Sequence, residues 1–253
     1  MSGNVALAVA GLSYAYGPKK ALDDVAFEVR SGRFTALLGP NGAGKSTLFA
    51  LVTRLFDSRD GEVTITGRSL ARDGASALAP LGVVFQQTTL DLDLTVRQNL
   101  RYFSRLRGLS IREADRRIEE ELTRFEMFDR LKDKVRNLNG GHRRRVEIAR
   151  ALLHDPKVVL MDEPTVGLDV PTRKAIVAHA HDLAKSRGIA ILWATHLIDE
   201  IRPGDDLVVL HQGRIVEKGE MSEVVARVGA SDLDGAFARL TGRAPTPAAG
   251  GAA

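Results

Sequence analysis

Short apolar runs, separated by polar or glycine-rich segments, recur along the chain and predict strands. These runs are rich in β-branched and aliphatic residues, a composition that favours buried strands of a parallel sheet. The predicted strands are 5–9, 25–29, 34–38, 62–66, 81–85, 158–161, 189–194 and 207–210. A helical pattern follows over 45–56, and Gln212-Gly213 predicts a tight hairpin between two strand-like runs. Alternating strands and helices indicate an α/β fold.

The segment 88–154 has a different character, because it is charged, arginine-rich and poor in strand patterns. Ser110 and Glu113 have the spacing of a capping box, in which each side chain binds the other's backbone N–H. Apolar residues then recur at helical spacing and predict one buried face: Ile111, Ala114, Ile118, Leu122 and Phe125. The pattern predicts an α-helical subdomain inserted into the α/β core.

We therefore expect one domain over 1–240. Its core would be formed by 1–87 and 155–240, and its helical subdomain by 88–154. Residues 241–253 are predicted to be a disordered tail, since 244–253 contain only Ala, Pro, Gly and Thr.

Composition excludes several kinds of protein. The chain has no cysteine, which excludes disulfides, thiolate metal sites and cysteine nucleophiles. Lys and Arg number 36 against 32 Asp and Glu, a net charge of +4 that is too small to favour nucleic acid as a partner. No apolar run approaches the ~18–20 residues of a membrane span, and no signal peptide is apparent. We expect a cytoplasmic protein whose membrane spans, if needed, come from another chain.

A glycine-rich loop follows the predicted strand 34–38 and precedes a helix. It reads Gly39-Pro40-Asn41-Gly42-Ala43-Gly44-Lys45-Ser46, the phosphate-binding pattern GxxxxGK[ST]. Its glycines allow successive backbone N–H groups to face phosphate oxygens, and the helix adds its positive N-terminus. Lys45 would reach the β- and γ-phosphates, and Ser46 would bind Mg²⁺.

Two carboxylates end the predicted strand 158–161. Asp162 and Glu163 would lie at the carboxyl end of the sheet, where open α/β sheets bind ligands. Taken alone, such a pair would also suit helix capping. Beside a phosphate-binding loop, it indicates a second ATPase motif, in which Asp162 holds Mg²⁺ and Glu163 takes a proton from the attacking water.

These motifs and their order resemble ATP-binding subunits of ABC transporters over about residues 7–240. Further matches are Tyr16, Gln86 after a strand, Leu138-Asn139-Gly140-Gly141-His142 at the signature position, Val166-Gly167-Leu168-Asp169, and Ala194-Thr195-His196. The resemblance implies a P-loop NTPase with a RecA-like core, a mixed sheet, an N-terminal antiparallel β region and an inserted helical subdomain.

The resemblance also assigns ATP and Mg²⁺ to particular residues. Tyr16 would stack on adenine, the signature would cap ATP held by the opposite subunit, and Gln86 (or its neighbour Gln87) would order water or Mg²⁺. The implied catalytic residues are Glu163, His196 and Gln86, and the metal ligands are Ser46, Gln86 and Asp162. The implied nucleotide-binding residues are Tyr16, Gly39, Pro40, Asn41, Gly42, Ala43, Gly44, Lys45, Ser46, Thr47, Asn139, Gly140, Gly141, His142 and Asp169.

The signature departs from the usual Leu-Ser-Gly-Gly-Gln of the family. Asn139 replaces Ser and still offers an amide donor. His142 replaces Gln, and an ordinary histidine would make turnover pH-sensitive between about 6 and 7. Alternatively, the presence of His142 at this position is a neutral substitution within a subfamily. Arg143, Arg144 and Arg145 follow, and we expect them to face phosphate or solvent rather than nucleic acid.

The resemblance implies a dimer, with itself or a related cassette, that closes on ATP and drives a separate membrane permease from the inner face of the membrane. The segment 237–242 resembles the end of export cassettes. The pattern of Val166-Gly167-Leu168-Asp169 with Asn139 and His142 is similar to cassettes of quinoprotein (PQQ-dependent) alcohol dehydrogenase systems. Two alternatives remain: a soluble ABC ATPase acting on a scaffold, ribosome or nucleic acid, and a regulatory subunit with little turnover.

Overall fold

A computed structural model of the protein describes residues 4–242. Its strands form two sheets. The bounds are β1 Val5–Tyr16, β2 Lys19–Arg30, β3 Phe34–Leu38, β4 Asp60–Ile65, β5 Arg68–Ser69, β6 Leu81–Val84, β7 Val158–Asp162, β8 Ala190–Thr195, β9 Asp206–His211 and β10 Arg214–Glu220. The predicted strands are all present, although β1 and β2 extend well beyond the apolar runs that indicated them.

The larger sheet has the order β10-β9-β3-β8-β7-β6. Its strands β9, β3, β8, β7 and β6 are parallel, and β10 pairs antiparallel with β9 through the predicted hairpin. Every position of β3, β7 and β8 is buried, as expected for strands covered on both faces. The smaller sheet is antiparallel, with the order β2-β1-β4-β5. The mixed sheet and the N-terminal antiparallel region confirm the predicted α/β P-loop architecture.

The helices are α1 Lys45–Val52, α2 Leu70–Asp73, α3 Ala75–Leu78, α4 Val96–Leu106, α5 Ile111–Arg124, α6 Gly140–Leu152, α7 Val170–Arg187, α8 Met221–Val228 and α9 Leu233–Thr241. Short 3₁₀ turns lie at Phe128–Arg130, Val135–Asn137 and Ile198–Glu200. The segment predicted to form a helical subdomain therefore contains α4, α5 and α6. No described helix is long and apolar enough to cross a membrane. Residues 243–253, most of the predicted tail, lie outside the described residues.

Two hydrophobic clusters cover opposite faces of the larger sheet. Alternate residues of β8 enter different clusters: Ile191 and Trp193 join one, whereas Leu192 joins the other. The first cluster contains buried residues of α4, α5, α6 and α7, and the second contains α1 and the antiparallel sheet. The helical segment thus shares its core with one face of the sheet.

Three local predictions were wrong. Helix α1 ends at Val52 rather than at 56, and the Thr53 hydroxyl donates to a carbonyl of the last turn. Ser110 caps α5 by accepting from the Glu113 N–H at 3.2 Å, but Glu113 does not complete the box. Its carboxylate instead binds two arginines of α5, which lower its pKa to about 2. Ile111, expected on the buried face, is 62% exposed at the first position of α5.

Candidate active site

The glycine-rich loop joins the end of β3 to the start of α1. A Cβ atom at Gly39 would lie 2.4 Å from the carbonyl oxygen of Leu210, and one at Gly44 would lie 2.8 Å from that of Ala21. Gly44 also has φ 113, in the region that favours glycine. The Gly39 N–H donates to the Thr195 carbonyl at 3.2 Å. The sequence therefore needs glycine at both ends of the loop, where neighbouring backbone approaches closely.

The hairpin turn between β9 and β10 supports the same loop. Gln212 and Gly213 have φ 47 and φ 78, as a tight two-residue hairpin requires. The Gly213 N–H donates to the Ala43 carbonyl at 2.9 Å, and its carbonyl accepts from the Asp23 N–H at 2.8 Å. A Cβ atom at Gly213 would lie 2.7 Å from the Ala21 carbonyl oxygen. This turn links the phosphate-binding loop to the antiparallel sheet.

Lys45 begins α1 and turns its ammonium group back into the loop. Its Nζ donates to the carbonyls of Gly39 at 2.7 Å and Pro40 at 3.2 Å, and it lies 3.2 Å from Oε1 of Glu163. The side chain is only 5% exposed. A buried ammonium with oxygen partners at these distances is suited to exchange them for phosphate oxygens.

Asp162 ends β7 beside this loop. Burial raises the pKa of its carboxyl group, against the opposing effect of a hydrogen bond with Ser46. Its Oδ1 atom is buried and has no hydrogen-bond partner. An orphaned carboxylate oxygen next to a serine hydroxyl is a donor set that fits a hard divalent cation. Among the described residues, no group of three His, Asp or Glu side chains could enclose a metal, so further ligands would have to come from the nucleotide or water.

Glu163 is the point where the predicted catalytic residues meet. Oε1 lies 3.3 Å from Nδ1 of His196, and Oε2 accepts from Nε2 of Gln86 at 3.5 Å. The backbone of Glu163 has φ 45 and donates to the Ala194 carbonyl at 2.9 Å. A non-glycine residue in this region is unusual and marks a position held by its surroundings. Lys45, Gln86, Glu163 and His196 therefore form one cluster, although they come from four separate segments.

Tyr16 lies at the end of β1, 46% exposed, beside α1. Its ring packs edge-on against Tyr14 and Phe56, with centroid distances of 5.1 and 5.9 Å. Its hydroxyl is 3.4 Å from Oγ1 of Thr47. Tyr16 and Phe56 are exposed and pack with the half-buried Tyr14 into an aromatic cluster at the edge of the loop. Phe56 was missed as a member because the sequence pattern had absorbed it into a longer α1.

The signature residues form the N-terminus of α6. Oδ1 of Asn139 accepts from the His142 N–H at 2.8 Å, so Asn139 is the helix cap and keeps its amide nitrogen as a donor. A Cβ atom at Gly141 would lie 2.7 Å from Cγ2 of Thr172, whereas one at Gly140 would meet only an ordinary contact. Asp169 in turn caps α7 by accepting from the N–H and the hydroxyl of Thr172. Asn139, Gly140 and Gly141 thus lie next to the start of α7 rather than next to the loop around Lys45.

His142 does not behave as an ordinary histidine. Burial, followed by the positive charges of Arg130 and Arg145, lowers its pKa below 6.5. The pKa of this side chain is therefore shifted downward from the ordinary histidine value on which the sequence-based expectation rested.

The arginine triplet after the signature is engaged within the chain, and the expectation that it faces phosphate or solvent was wrong for the buried Arg144, whereas Arg143 and Arg145 remain partly exposed. The guanidinium group of Arg144 is buried and donates to the carbonyls of Phe85 at 2.7 Å and Gln86 at 2.8 Å. It also pairs with Glu147 at 2.8 Å, and Glu147 accepts from the Thr89 N–H. This arrangement, which we call the Arg144–Glu147 clamp, ties the loop that carries Gln86 to α6.

The neighbouring arginines act in the same way. Arg143 donates to the carbonyls of Val135 and Arg136 at 3.1 and 2.8 Å. Arg145 donates to the Phe125 carbonyl at 3.2 Å. The accepting carbonyls belong to the 3₁₀ turn Val135–Asn137 and to Phe125 at the C-terminus of α5, a tertiary effect that the triplet alone does not reveal.

A sequence profile of the family described as ABC transporter matches residues 22–166, more than half of the chain. The chain belongs to the ABC transporter ATP-binding family. The chain is accordingly an ABC ATPase, which couples ATP hydrolysis to transport.

Two characterised members illustrate the relationship. The chain is 34% identical to the daunorubicin resistance ATP-binding protein DrrA3 of Streptomyces coeruleorubidus, over 91% of this chain and 73% of that protein. It is 38% identical to the Nod factor export ATP-binding protein I of Rhizobium johnstonii, over 85% of this chain and 69% of that protein.

Solved structures agree with the fold. An ATP-binding subunit of an ABC transporter superposes with a TM-score of 0.82 at 30% identity, covering 93% of this chain and 99% of that one. An ATP-binding cassette in a dimeric, post-hydrolysis state with ADP and Pi superposes with a TM-score of 0.75 at 28% identity, covering 85% and 98%.

Proposed function

We propose that this ABC ATPase hydrolyses Mg-ATP as a dimer and thereby powers export through a separate membrane protein. The observation that carries the proposal is the convergence of Lys45, Gln86 and His196 on the carboxylate of Glu163, at 3.2, 3.5 and 3.3 Å. Hydrolysis of a phosphoanhydride needs a cation for the phosphates, a base for the water and groups that orient both.

Each member of the cluster has a chemical role in this proposal. Lys45 exchanges its carbonyl partners and Glu163 for oxygens of the β- and γ-phosphates. Glu163, thereby released, accepts the proton of the attacking water. Gln86 orients that water, and His196 donates to the γ-phosphate. Tyr16 supplies the aromatic face for adenine.

Magnesium would be held by Ser46 and Asp162, with Gln86 as a further ligand. Support comes from the buried, unpartnered Oδ1 of Asp162 beside the serine hydroxyl. When bound, Mg²⁺ supplies positive charge against the β- and γ-oxygens. The carboxylate of Asp162 orients the Ser46 hydroxyl, and α1 directs its N-terminus toward the same phosphates.

The dimer is supported by the position of the signature. Asn139 and Gly141 present the N-terminus of α6 next to the start of α7, and their contacts stay in that region. A second copy, or a related cassette, placed head to tail would bring this N-terminus to the γ-phosphate held by Lys45 of its neighbour. The dimeric relative with ADP and Pi is consistent with such a pairing.

A membrane partner is supported by an apolar groove between the larger sheet and α4. The groove has a volume of about 250 Å³. Leu55, Phe85 and Phe103 are among the residues that line it, and Tyr102 and Leu106 extend the exposed apolar surface on α4. Apolar surface of this kind favours a protein partner. Because Phe85 precedes Gln86, a segment seated in the groove would sense the hydrolysis site.

Export as the direction of transport is supported by the two characterised members, whose names refer to drug resistance and to Nod factor export. Their different cargoes suggest that the membrane protein, rather than this chain, selects the substrate. The chain would then work at the cytoplasmic face of the cell membrane.

Glu163→Gln tests the chemistry. We expect at least about a hundredfold loss of turnover, because the proton acceptor is removed. Light scattering should show an ATP-dependent dimer that persists. Glu62→Gln, at an exposed carboxylate of β4, is the matched control and should keep wild-type turnover. Wild-type turnover in Glu163→Gln would contradict the assignment.

The partner is tested by affinity purification of the full chain from gently solubilised membranes. A stoichiometric membrane-spanning protein is expected. Ribosomes, nucleic acid or a scaffold protein in its place would overturn the transport partner and leave the ATPase chemistry intact.

A further inference from the structure

Glu200 carries a buried carboxylate whose partners are three neutral donors. The residue is 1% exposed and ends the 3₁₀ turn Ile198–Glu200. Its Oε1 accepts from the hydroxyl of Thr165, and its Oε2 accepts from Nε1 of Trp193 at 2.9 Å and from the hydroxyl of Thr195 at 2.6 Å. A carboxylate placed in this way depends on its donors, since each lost hydrogen bond leaves buried polar groups unsatisfied.

The donors come from the two segments that hold the reacting groups. Thr165 is two residues after Glu163, in the loop that leads to α7. Thr195 ends β8 immediately before His196. Oγ1 of Thr195 also accepts from the Leu197 N–H at 3.0 Å, so its single proton is directed at Glu200. Hydrogen bonds through Glu200 therefore close a ring that contains Glu163 and Thr195, the residue immediately before His196.

This ring also contacts the phosphate-binding loop, because the Thr195 carbonyl accepts from the Gly39 N–H at 3.2 Å and Oε1 of Glu163 lies 3.2 Å from Nζ of Lys45. The backbone of Glu163 is tied to β8 by one hydrogen bond, to the Ala194 carbonyl at 2.9 Å. The backbone after it has no regular structure until α7 begins at Val170. Glu200 supplies the second attachment, through Thr165, and two attachments fix an orientation that one attachment leaves free to rotate.

We propose that Glu200 is a positioning residue for hydrolysis, which sets the placement of Glu163 relative to His196 by joining Thr165 to Thr195. The proposal rests on the proposed roles of Glu163 and His196. Glu200 is 1% exposed, and its carboxylate binds Thr165, Trp193 and Thr195 rather than the reacting side chains. Its removal should slow the chemical step and leave nucleotide affinity almost unchanged, because the phosphate-binding loop keeps its own contacts.

The fluorescence of Trp193 reports on the hydrogen bonds of Glu200, because Trp193 is the sole tryptophan of the chain and is fully buried. Its indole N–H donates to Glu200, so the emission of the protein reports whether that hydrogen bond is present. A role limited to general stability would change the melting temperature without separating kcat from KM.

The test compares Glu200→Ala, Glu200→Gln and Asp199→Ala in the full chain, with kcat, KM and Trp193 emission as readouts. Glu200→Ala should lower kcat at least about tenfold, change KM by less than about twofold and shift the emission. Glu200→Gln should recover most of kcat, because the Thr165 hydroxyl can turn to accept from the new amide. Asp199→Ala removes an adjacent exposed carboxylate that pairs with Arg173, and it should behave as wild type.

Wild-type kcat in Glu200→Ala would overturn the proposal. So would a parallel change of kcat and KM in both Glu200 variants. If Glu200→Ala does not fold, Thr165→Val removes one donor and keeps the side-chain shape; it should lower kcat several-fold at constant KM, and wild-type kcat would again overturn the proposal. Failure of the proposed chemistry is separate, since it would appear as wild-type turnover in Glu163→Gln, whatever the Glu200 variants do.

Discussion

The guanidinium group of Arg144 donates to the backbone carbonyl of Gln86 across 2.8 Å. This hydrogen bond joins the loop after β6 to the first turns of the signature helix α6. The same arginine pairs with Glu147, and both side chains are almost entirely buried. The predicted water-orienting residue and the predicted signature are therefore parts of one rigid unit, and movement of α6 must move Gln86.

The Arg144–Glu147 clamp should be essential to stability. Arg144→Met leaves the Glu147 carboxylate buried beside uncapped carbonyls, and we expect it to cost about 3–5 kcal/mol of unfolding free energy. Denaturant titration of the full chain measures this loss. The double variant Arg144→Met with Glu147→Leu should lose less than the sum of the two single variants, since no uncompensated charge remains. Arg116→Met, at an exposed arginine of α5, is the control; strict additivity in the double variant would contradict the clamp.

Gly141 should tolerate no side chain while Thr172 is present. Gly141→Ala places a Cβ atom 2.7 Å from Cγ2 of Thr172 and should destabilise the protein by about 1–3 kcal/mol through overpacking. Thr172→Ser removes that methyl group and keeps the hydroxyl that binds Asp169, so it should restore the lost stability. Melting temperatures of the single and double variants measure both effects.

Gly140→Ala serves as the control for the same helix turn. Its Cβ atom would lie 3.5 Å from Cδ2 of Leu168, an ordinary contact, and alanine is the better helix former. The variant should be at least as stable as the wild type. Equal losses in Gly140→Ala and Gly141→Ala would show that the contact with Thr172 is not the cause.

Stability should fall on acidification because of His154. Burial, with Arg107 nearby, lowers the pKa of His154 to about 4, and its Nε2 hydrogen-bonds the Leu81 carbonyl. The unfolded chain binds the proton near pH 6.5, whereas the folded chain does not until about pH 4. Stability is therefore lost between these values as pH falls, by about 3 kcal/mol from this group. Denaturant titrations across this range should show a flatter dependence for His154→Gln; parallel slopes would contradict the assignment.

The buried carboxylate of Asp162 should lower the stability of the ligand-free protein and support the binding of Mg-ATP. Burial raises the pKa of its carboxyl group, so the charged form is disfavoured in the fold, and Asp162→Asn should melt no lower than the wild type without ligand. Mg-ATP should raise the melting temperature of the wild type by much more than that of Asp162→Asn, because ligand binding to the folded state adds stability. Asp57→Asn, at an exposed carboxylate, is the control. An equal Mg²⁺-dependent rise in Asp162→Asn would exclude it as a ligand.

Much of the architecture could be predicted because its determinants are local. The buried parallel strands, the glycine-rich loop and the acid pair at the end of β7 each lie in a short continuous stretch. Their grouping into one site followed from the rule that carboxyl ends of parallel strands meet at one sheet edge. Lys45 and Glu163 were found from such local patterns, whereas His196 was assigned through the resemblance to ABC ATP-binding subunits.

The remaining features depend on contacts between distant segments. Glu200 looks like a surface acid four residues after His196, and only the fold brings Thr165 and Trp193 to it. Arg144 looks like one member of a solvated triplet, and only the fold supplies the carbonyl of Gln86. The spacing of Ser110 and Glu113 also predicted one hydrogen bond too many, because the Glu113 carboxylate binds Arg116 and Arg117 and does not complete the capping box.

The turn at Gln212 and Gly213 restricts how this chain can vary. Hairpin tips usually accept added residues, because they face solvent and hold little else in place. Here the tip is hydrogen-bonded to Ala43 of the phosphate-binding loop and to Asp23 of the antiparallel sheet. Lengthening this turn would displace the phosphate-binding loop from its position at the end of β3. A peptide tag or a fused domain should therefore be attached elsewhere. We also expect related proteins with the same contacts to keep the length of this turn.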